Sequence, residues 1–344
     1  MTVKVTKPAV NLRETLAELQ KPSGVAGEAM LRAETPQEQF NLIGAGRNNL
    51  IINGDCRISQ RGDFTTASGS TDETYYLDRF EQNHSGPIVT KQHITTNQPS
   101  EISNTKSWKL VATTGATGFF GTRQTIEDYK LFNGRAFTAS AYIKTNNPSV
   151  RFYLYNGTSV VTSDAAIADG QWHRLEATFN LDASAGDRLA IEILAISSGG
   201  SSITVNTGDY IEFTGLQVEL GKVATPFEHR SYGEELALCM RYYEVLDNKG
   251  FQAVGVVPAT ATSREAPINF LVTKRAVPTI TIDDTTNSNV GFYRFSTLTR
   301  DNGSNAAGQI STSNFLHGST GVTAGTVGEM VAVDNYIYIA DAEL

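Results

Sequence analysis

Aromatic and arginine side chains recur at alternate positions in segments that read as strands. That pattern suits sugar recognition, in which a flat ring stacks on the apolar face of a pyranose and planar polar groups fix its hydroxyls. In VRFYLY, Arg151, Tyr153 and Tyr155 share one face and Phe152 and Leu154 the other, with Tyr142 on the preceding strand. Trp172 and Arg174 fall on the face opposite Leu175. Further along, Tyr293, Phe315, His317 and Tyr336 lie in or beside segments that read as loops, where binding residues concentrate. Two readings stay open for Tyr153 and Trp172, a sugar platform or a half-buried cross-strand partner. Trp108 in SWKLV reads as core.

Other chemistry is thinly represented. His84, His93, His173, His229 and His317 are scattered without metal-ligand or nucleophile spacing. The chain has no G-x-S-x-G, no H-E-x-x-H, no phosphate loop and no repeat of fixed period. Paired carboxylates could in principle hydrolyse glycosides, but the expectation is recognition without catalysis. Asp55, Asp209 and Glu219 lie near strand ends, where oxygen ligands could converge on a structural calcium; the alternative is solvated surface carboxylates. No other cofactor is implied. Cys56 and Cys239 are too few and too far apart for a disulfide framework and read as buried reduced thiols that the fold could bring near each other. Arg61-Gly62-Asp63 matches an integrin-binding string only as three residues match by chance.

A formal net charge of −8 without a basic cluster argues against nucleic acid, whose binding rests on grouped Lys and Arg. No apolar run approaches the roughly 20 residues that span a bilayer, and the N-terminus lacks the apolar core of a secretory signal, so synthesis in the cytoplasm without membrane insertion is expected.

These side chains need strands to position them. Phe137, Ala139, Ala141 and Ile143 alternate with polar or small residues, as do Leu175, Ala177, Phe179 and Leu181, and Ile191 with Ile193. Turn clusters separate the strands, among them Asn146-Asn147-Pro148, Asn156-Gly157, Asp169-Gly170, Gly199-Gly200 and Gly208-Asp209. This spacing predicts a mainly β chain with an antiparallel β-sandwich over residues 48–232, which the resemblance given below makes a jelly roll. Residues 1–47 differ: Asn11 with Glu14 and Thr35 with Pro36 and Glu38 open short helices carrying Leu12, Leu16, Leu19, Phe40 and Leu42, with Met30 and Leu31 between them. Such helices are marginal alone and need a partner surface, either another protein or their own domain. A helical connector is expected over 233–243, with Leu236 and Met240 on one face. A smaller β domain follows over 244–344, with strands in FQAVGVV, INFLV, TITI, VGFYRF and the terminal MVAVDNYIYIADAEL, and with Ala266-Pro267 bounding one of them. Asn287–Gly328 is so polar that shared strands in a trimer would order it more readily than one chain; a monomeric sandwich is the alternative.

Asn53-Gly54-Asp55, Arg57-Ile58, Gln60-Arg61-Gly62, Leu77-Asp78-Arg79-Phe80, Gln217-Val218-Glu219-Leu220-Gly221 and Thr225-Pro226-Phe227-Glu228, in this order, resemble the carbohydrate-binding-module-like jelly roll of bacteriophage tail-fibre and virion spike proteins. The resemblance covers about 47–243, with Cys56 where Phe or Met is common and Phe80 where Trp is frequent. It implies a structural virion protein: a homotrimeric tail fibre or spike whose residues 1–47 anchor it to other virion proteins and whose sandwich and 244–344 tip meet a host cell-surface glycan. A head fibre or capsid decoration protein with an architectural role is the alternative, and a depolymerase a third.

Overall fold

The computed structural model describes residues 49–102, 105–132, 134–180, 186–247, 253–256, 263–283, 291–294, 299–301, 304–308, 310–320, 330–334 and 337–343. The expected helices and anchoring residues of 1–47 therefore lie outside the described residues, as do Leu181 and Tyr336.

Thirteen strands come first: β1 (Ser68–Gly69), β2 (Tyr75–Leu77), β3 (Phe80–Ser85), β4 (Val89–Ile94), β5 (Ser107–Ala112), β6 (Ala116–Thr125), β7 (Ala136–Thr145), β8 (Val150–Tyr155), β9 (Val160–Ala165), β10 (His173–Asn180), β11 (Ala190–Ala195), β12 (Ile203–Val205) and β13 (Tyr210–Leu220). They form sheet I, ordered β1-β4-β5-β13-β7-β10, and sheet II, ordered β2-β3-β6-β11-β8-β9 with β12 also on β6. Each sheet draws strands from both halves of the segment, the interleaving of a jelly roll. Every expected turn cluster joins two of these strands.

The alternation explains the core. Phe137, Ala139, Ala141 and Ile143 of β7 face Trp108, Leu110, Ile211 and Phe213 within sheet I, and Phe120, Phe152, Leu154, Ile191 and Ile193 come from sheet II, all in one buried cluster. Trp108, Cys56 and Phe80 are wholly buried. One expectation needs correcting: β11 is buried on both faces and β13 nearly so, because both are central strands whose outer side chains are covered by long neighbours or loops.

The helix α1 (Tyr232–Met240) starts at Ser231, whose side chain accepts from Glu234 N, with Glu234 and Glu235 in the first turn. Its buried side chains are Glu235, Cys239 and Met240, so of the pair Leu236 and Met240 the methionine is buried and the leucine half-buried, and a glutamate shares the inner side. Glu235 goes inward because Asn53 N donates to it at 2.5 Å and Arg230 pairs with it at 3.2 Å. Both thiols are free and buried, and burial raises both well above the ordinary thiol range.

After the helix come β14 (Tyr243–Asp247), β15 (Ala253–Val256), β16 (Ser263–Asn269), β17 (Thr279–Asp283), β18 (Gly291–Arg294), β19 (Thr299–Asp301), β20 (Ser304–Gly308), β21 (Asn314–Thr320), β22 (Met330–Asp334) and β23 (Ile337–Asp341). They pair as β14-β23-β17 and as β19-β18-β22-β15-β16-β21-β20, and every ladder between described strands is antiparallel. Pro267, expected to end a strand, lies inside β16. It is tolerated there because β15 pairs with β16 only at Val256↔Glu265, so the missing N–H breaks no described bond on that side. The polar stretch 287–328 supplies β18 to β21 to one sheet of this chain. A buried ion pair, Lys274 with Glu244, ties its base; Lys274 also donates to Met240 O at 2.6 Å, and burial lowers its pKa.

The residues that carry the family resemblance meet at the junction of these two parts. The Asn53 side chain donates to Ile58 O at 2.8 Å and Asp78 O at 3.0 Å and accepts from Ile58 N at 2.9 Å. Gln60 donates through N and Nε2 to the Asp78 carboxylate and through Nε2 to Tyr243 O. A Cβ on Gly54 would come within 2.1 Å of Leu216 O, so only glycine lets this turn touch β13. Arg61 stacks on Tyr243 at 3.6 Å and Arg79 on Tyr242 at 3.5 Å, and both pair with the Glu343 carboxylate. Arg61 is thus spent on the C-terminus, and the Arg-Gly-Asp string presents no free arginine.

Because Arg79 is almost fully buried, removing its counter-charge leaves an unpaired charge inside the protein. Glu343→Ala should cost about 3–5 kcal/mol in denaturant unfolding, whereas Glu176→Ala on the exposed face should change stability by less than about 0.5 kcal/mol. Equal midpoints for the two variants would contradict this account of the junction.

Candidate functional site

The outer face of sheet II carries one row across all its main strands. Tyr75 on β2 is opposite Glu81 on β3, Glu81 opposite Arg123 on β6, Arg123 opposite Glu192 on β11, Glu192 opposite Tyr153 on β8, and Tyr153 opposite Thr162 on β9. Five strand spacings make the row about 24 Å long. It faces outward because its neighbours along each strand, such as Phe80, Ile191, Ile193, Phe152 and Leu154, point into the core.

The charges in the row are ordered. Arg123 donates from Nε and Nη2 to the two oxygens of Glu81, both at 2.7 Å, a bidentate pair that raises the Arg123 pKa. Glu192 has no such fork; Asn83 Nδ2 donates to its Oε2 at 2.6 Å. Burial therefore dominates and lifts Glu192 to about 7, against the downward pull of Asn83 and Arg123. Tyr153 is half-buried beside it, with its hydroxyl pKa raised by burial and then by Glu192. The Tyr155 hydroxyl donates to Gly157 O at 2.8 Å.

The structure divides the sugar-contact candidates between faces. Tyr153 and Tyr155 are on the outer face of sheet II as expected, with Phe152 and Leu154 in the core. Arg151 shares that face, but its guanidinium donates to the carbonyls of Ile196 at 3.0 Å and Ser163 at 3.1 Å, so it braces backbone rather than facing a ligand. Tyr142, Trp172 and Arg174 belong to the opposite sheet I. There Gly215, at φ +63°, lets Ile102 and Phe227 close over Tyr142, since a Cβ at that position would lie 2.8 Å from Ile102 and 3.3 Å from the tyrosine ring. Arg174 donates to Thr225 O and to Ser140 Oγ, and the Trp172 indole donates to Asn97 O at 2.8 Å. Trp172 and Arg174 hold loops down. Tyr293 lies in β18 and Phe315 and His317 in β21, not in loops.

The calcium candidates do not converge. Asp209 and Glu219 stand at opposite ends of β13, about 33 Å apart along an extended strand. Asp209 accepts from Asn147 Nδ2 at 2.7 Å and Asn206 N at 2.8 Å, Glu219 accepts from Thr225 N at 3.0 Å and its hydroxyl at 2.5 Å, and Asp55 pairs with Arg57. Each is a local cap or brace, and among the described residues no group of three or more His, Cys, Asp or Glu could hold a metal ion.

Tyr75, Glu81, Asn83, Arg123 and Glu192 were missed from sequence. Their alternation within EQNHS, GTRQT and AIEILA is visible, but that they form one row depends on which strands are neighbours. Beyond the row, where β6 ends, a cleft of about 530 Å³ lies between Thr125–Tyr129, Asp187, Arg188 and Arg275, and it adjoins a smaller cavity of about 280 Å³ reaching Arg79 and Tyr242.

No protein-family model and no curated protein matches the chain. Among solved structures it is similar to the enzymatically active domain of tailspike protein 4 of bacteriophage CBA120, at 14% identity and a TM-score of 0.34 over 50% of this chain and 21% of that one. The N-terminal CBM22-1-CBM22-2 tandem domain of Xyn10C from Paenibacillus barcinonensis aligns at 13% identity and a TM-score of 0.28, over 83% of this chain and 100% of that one. The family 11 carbohydrate-binding module of the cellulase Lic26A-Cel5E of Clostridium thermocellum aligns at 14% identity and a TM-score of 0.25, over 48% and 98%. Likeness at this level carries no functional argument.

Glu192 makes stability depend on pH. Its pKa rises from the ordinary 4.5 to about 7, so the folded state holds a proton that the unfolded state releases. Its contribution is complete below pH 4.5 and is lost as pH climbs through about 7. Between pH 4.5 and pH 8 the wild type should lose about 3 kcal/mol more than Glu192→Gln; parallel stability profiles for the two proteins would refute a raised Glu192 pKa.

Proposed function

We propose that this chain recognises glycans without transforming them, as the host-attachment part of a virus particle. The observation that carries the reading is the row of Tyr75, Glu81, Arg123, Glu192 and Tyr153 across sheet II. The half-exposed rings of Tyr75 and Tyr153 near its two ends, with the Arg123 guanidinium between them held by the buried carboxylate of Glu81, form a rigid strip for an extended saccharide. Sheet I is the poorer platform, because its aromatic and arginine side chains are occupied with the loops that cover them. The virion setting, a homotrimeric bacteriophage tail fibre or spike with 1–47 bound to other virion proteins, comes from the sequence resemblance of the junction residues. Several such sites on one particle would turn modest affinities into firm attachment.

One observation favours a second, hydrolytic reading. Glu192 titrates near neutrality and faces Glu81 across Arg123, two carboxylates in one row. Glu81 is committed to its bidentate arginine and Glu192 is almost fully buried, and for this reason binding is preferred.

On a glycan array followed by calorimetry with the sugars retained, Tyr153→Ala should weaken binding about tenfold, or about 1.4 kcal/mol, and Trp172→Ala should leave it unchanged. The reverse pattern would move the site to sheet I. Release of reducing ends by the wild type but not by Glu192→Gln would establish the hydrolytic reading instead. Light scattering on the full chain should give three times the chain mass, and a monomer would remove the trimer.

A further inference from the structure

The cleft beside the row has an imbalance of partners. Its walls come from the end of β6 and the turn after it (Thr125–Tyr129), from Asp187 and Arg188 ahead of β11, and from Arg275 of the C-terminal domain. Most of the charges there are matched. Arg188 pairs with Asp187 at 3.4 Å, and Glu127 accepts from Arg241 at 2.8 Å and from the Tyr242 hydroxyl at 2.6 Å. Arg79, in the adjoining cavity, pairs with Glu343.

Arg275 is the exception. Its backbone N donates to Arg241 O at 3.0 Å and fixes its position, but among the described residues its guanidinium makes no hydrogen bond and no ion pair. Its Nε is shut away from solvent without an acceptor, an unfavourable state for a buried donor. Burial pushes Glu127 up, yet Tyr242, Arg241 and Arg275 together bring it below the ordinary range, so the Glu127 charge is already answered before Arg275 contributes. The acid left over is Asp128, which is exposed.

We propose that this cleft takes an acidic sugar unit, with the sugar carboxylate on the Arg275 guanidinium and the ring hydroxyls on Asp128, Asp187 and Thr125. A guanidinium is the side chain best matched to a carboxylate, because its planar fork donates two parallel bonds. The volume suits a small ligand. Thr125 follows Arg123 by two residues on β6 and Arg188 precedes Glu192 by four, so the cleft adjoins the middle of the polar row, within reach of a saccharide lying on sheet II. This inference rests on the glycan-binding reading and narrows its substrate to chains that carry a uronate-type residue.

The test uses the full-length protein with three monosaccharide probes, glucuronate, its methyl ester and glucose, followed by saturation-transfer NMR and calorimetry. Glucuronate should bind at least tenfold more tightly than the ester or glucose, and the difference should shrink as salt is raised. Arg275→Gln should abolish the preference, Arg275→Lys should retain part of it, and Tyr153→Ala should leave it intact. Matching thermal melts will show that the variants are folded. Equal binding of glucuronate and its ester, a preference that survives Arg275→Gln, or no binding of glucuronate would each overturn the proposal. The broader reading fails separately, if no neutral or acidic oligosaccharide on the array depends on Tyr153.

Discussion

Glu343 lies one residue from the end of the chain, and its carboxylate answers two arginines that the sandwich has taken out of water, Arg61 and Arg79. A buried guanidinium without a counter-charge is so unfavourable that the C-terminal strand must return to this spot. Its return makes β23 the central strand of the β14-β23-β17 sheet, and the stacks of Arg61 on Tyr243 and Arg79 on Tyr242 then fix the chain entering that sheet. The segments that carry the family resemblance, from Asn53 to Glu228, converge here or on the neighbouring β13 turn. Their chemistry is that of a structural joint: side-chain amides bonded to backbone, a glycine where two chains touch, and ions in pairs.

The joint also shapes the cleft. Arg275 belongs to the C-terminal domain, while the rest of its cleft belongs to the sandwich. The cleft exists because Arg241, the C-cap of α1, binds Glu127 through its side chain and Arg275 through its backbone carbonyl. A surface that would otherwise be the open end of a sheet thereby gains a wall with a positive charge. The row on sheet II is rigid for a related reason, since Arg123 and Asn83 restrain the two glutamates before any ligand arrives.

Legibility differed from segment to segment. In VRFYLY the alternation placed Tyr153 and Tyr155 outside and Phe152 and Leu154 inside, because side-chain direction along a strand is a local property. Trp108, Cys56 and Phe80 were likewise recognisable as core. Tyr142 and Tyr153, however, are only eleven positions apart and emerge on opposite sides of the molecule, because consecutive strands β7 and β8 enter different sheets. The inward position of Glu235 was hidden for a similar reason. Glu235 is drawn inward by Asn53 and Arg230, partners that helical periodicity cannot reveal. In the C-terminal part, the sequence showed short strands in a polar stretch, and the ladders pair β18 to β21 into one sheet with β15, β16 and β22.

The sequence by itself determined what each short segment is and which of its side chains point together: period-two strands, turns at Asn, Asp and Gly, and one capped helix. Only the tertiary structure decided which faces are presented. It aligned Glu81, Arg123 and Glu192 from three distant segments, spent Arg151 and Arg174 on carbonyls, separated Asp209 from Glu219 along one strand, and left the Arg275 guanidinium without a hydrogen bond or ion pair among the described residues. The physical reason is that strand direction follows from local sterics, whereas the neighbour of a strand is set by burying the whole chain at once.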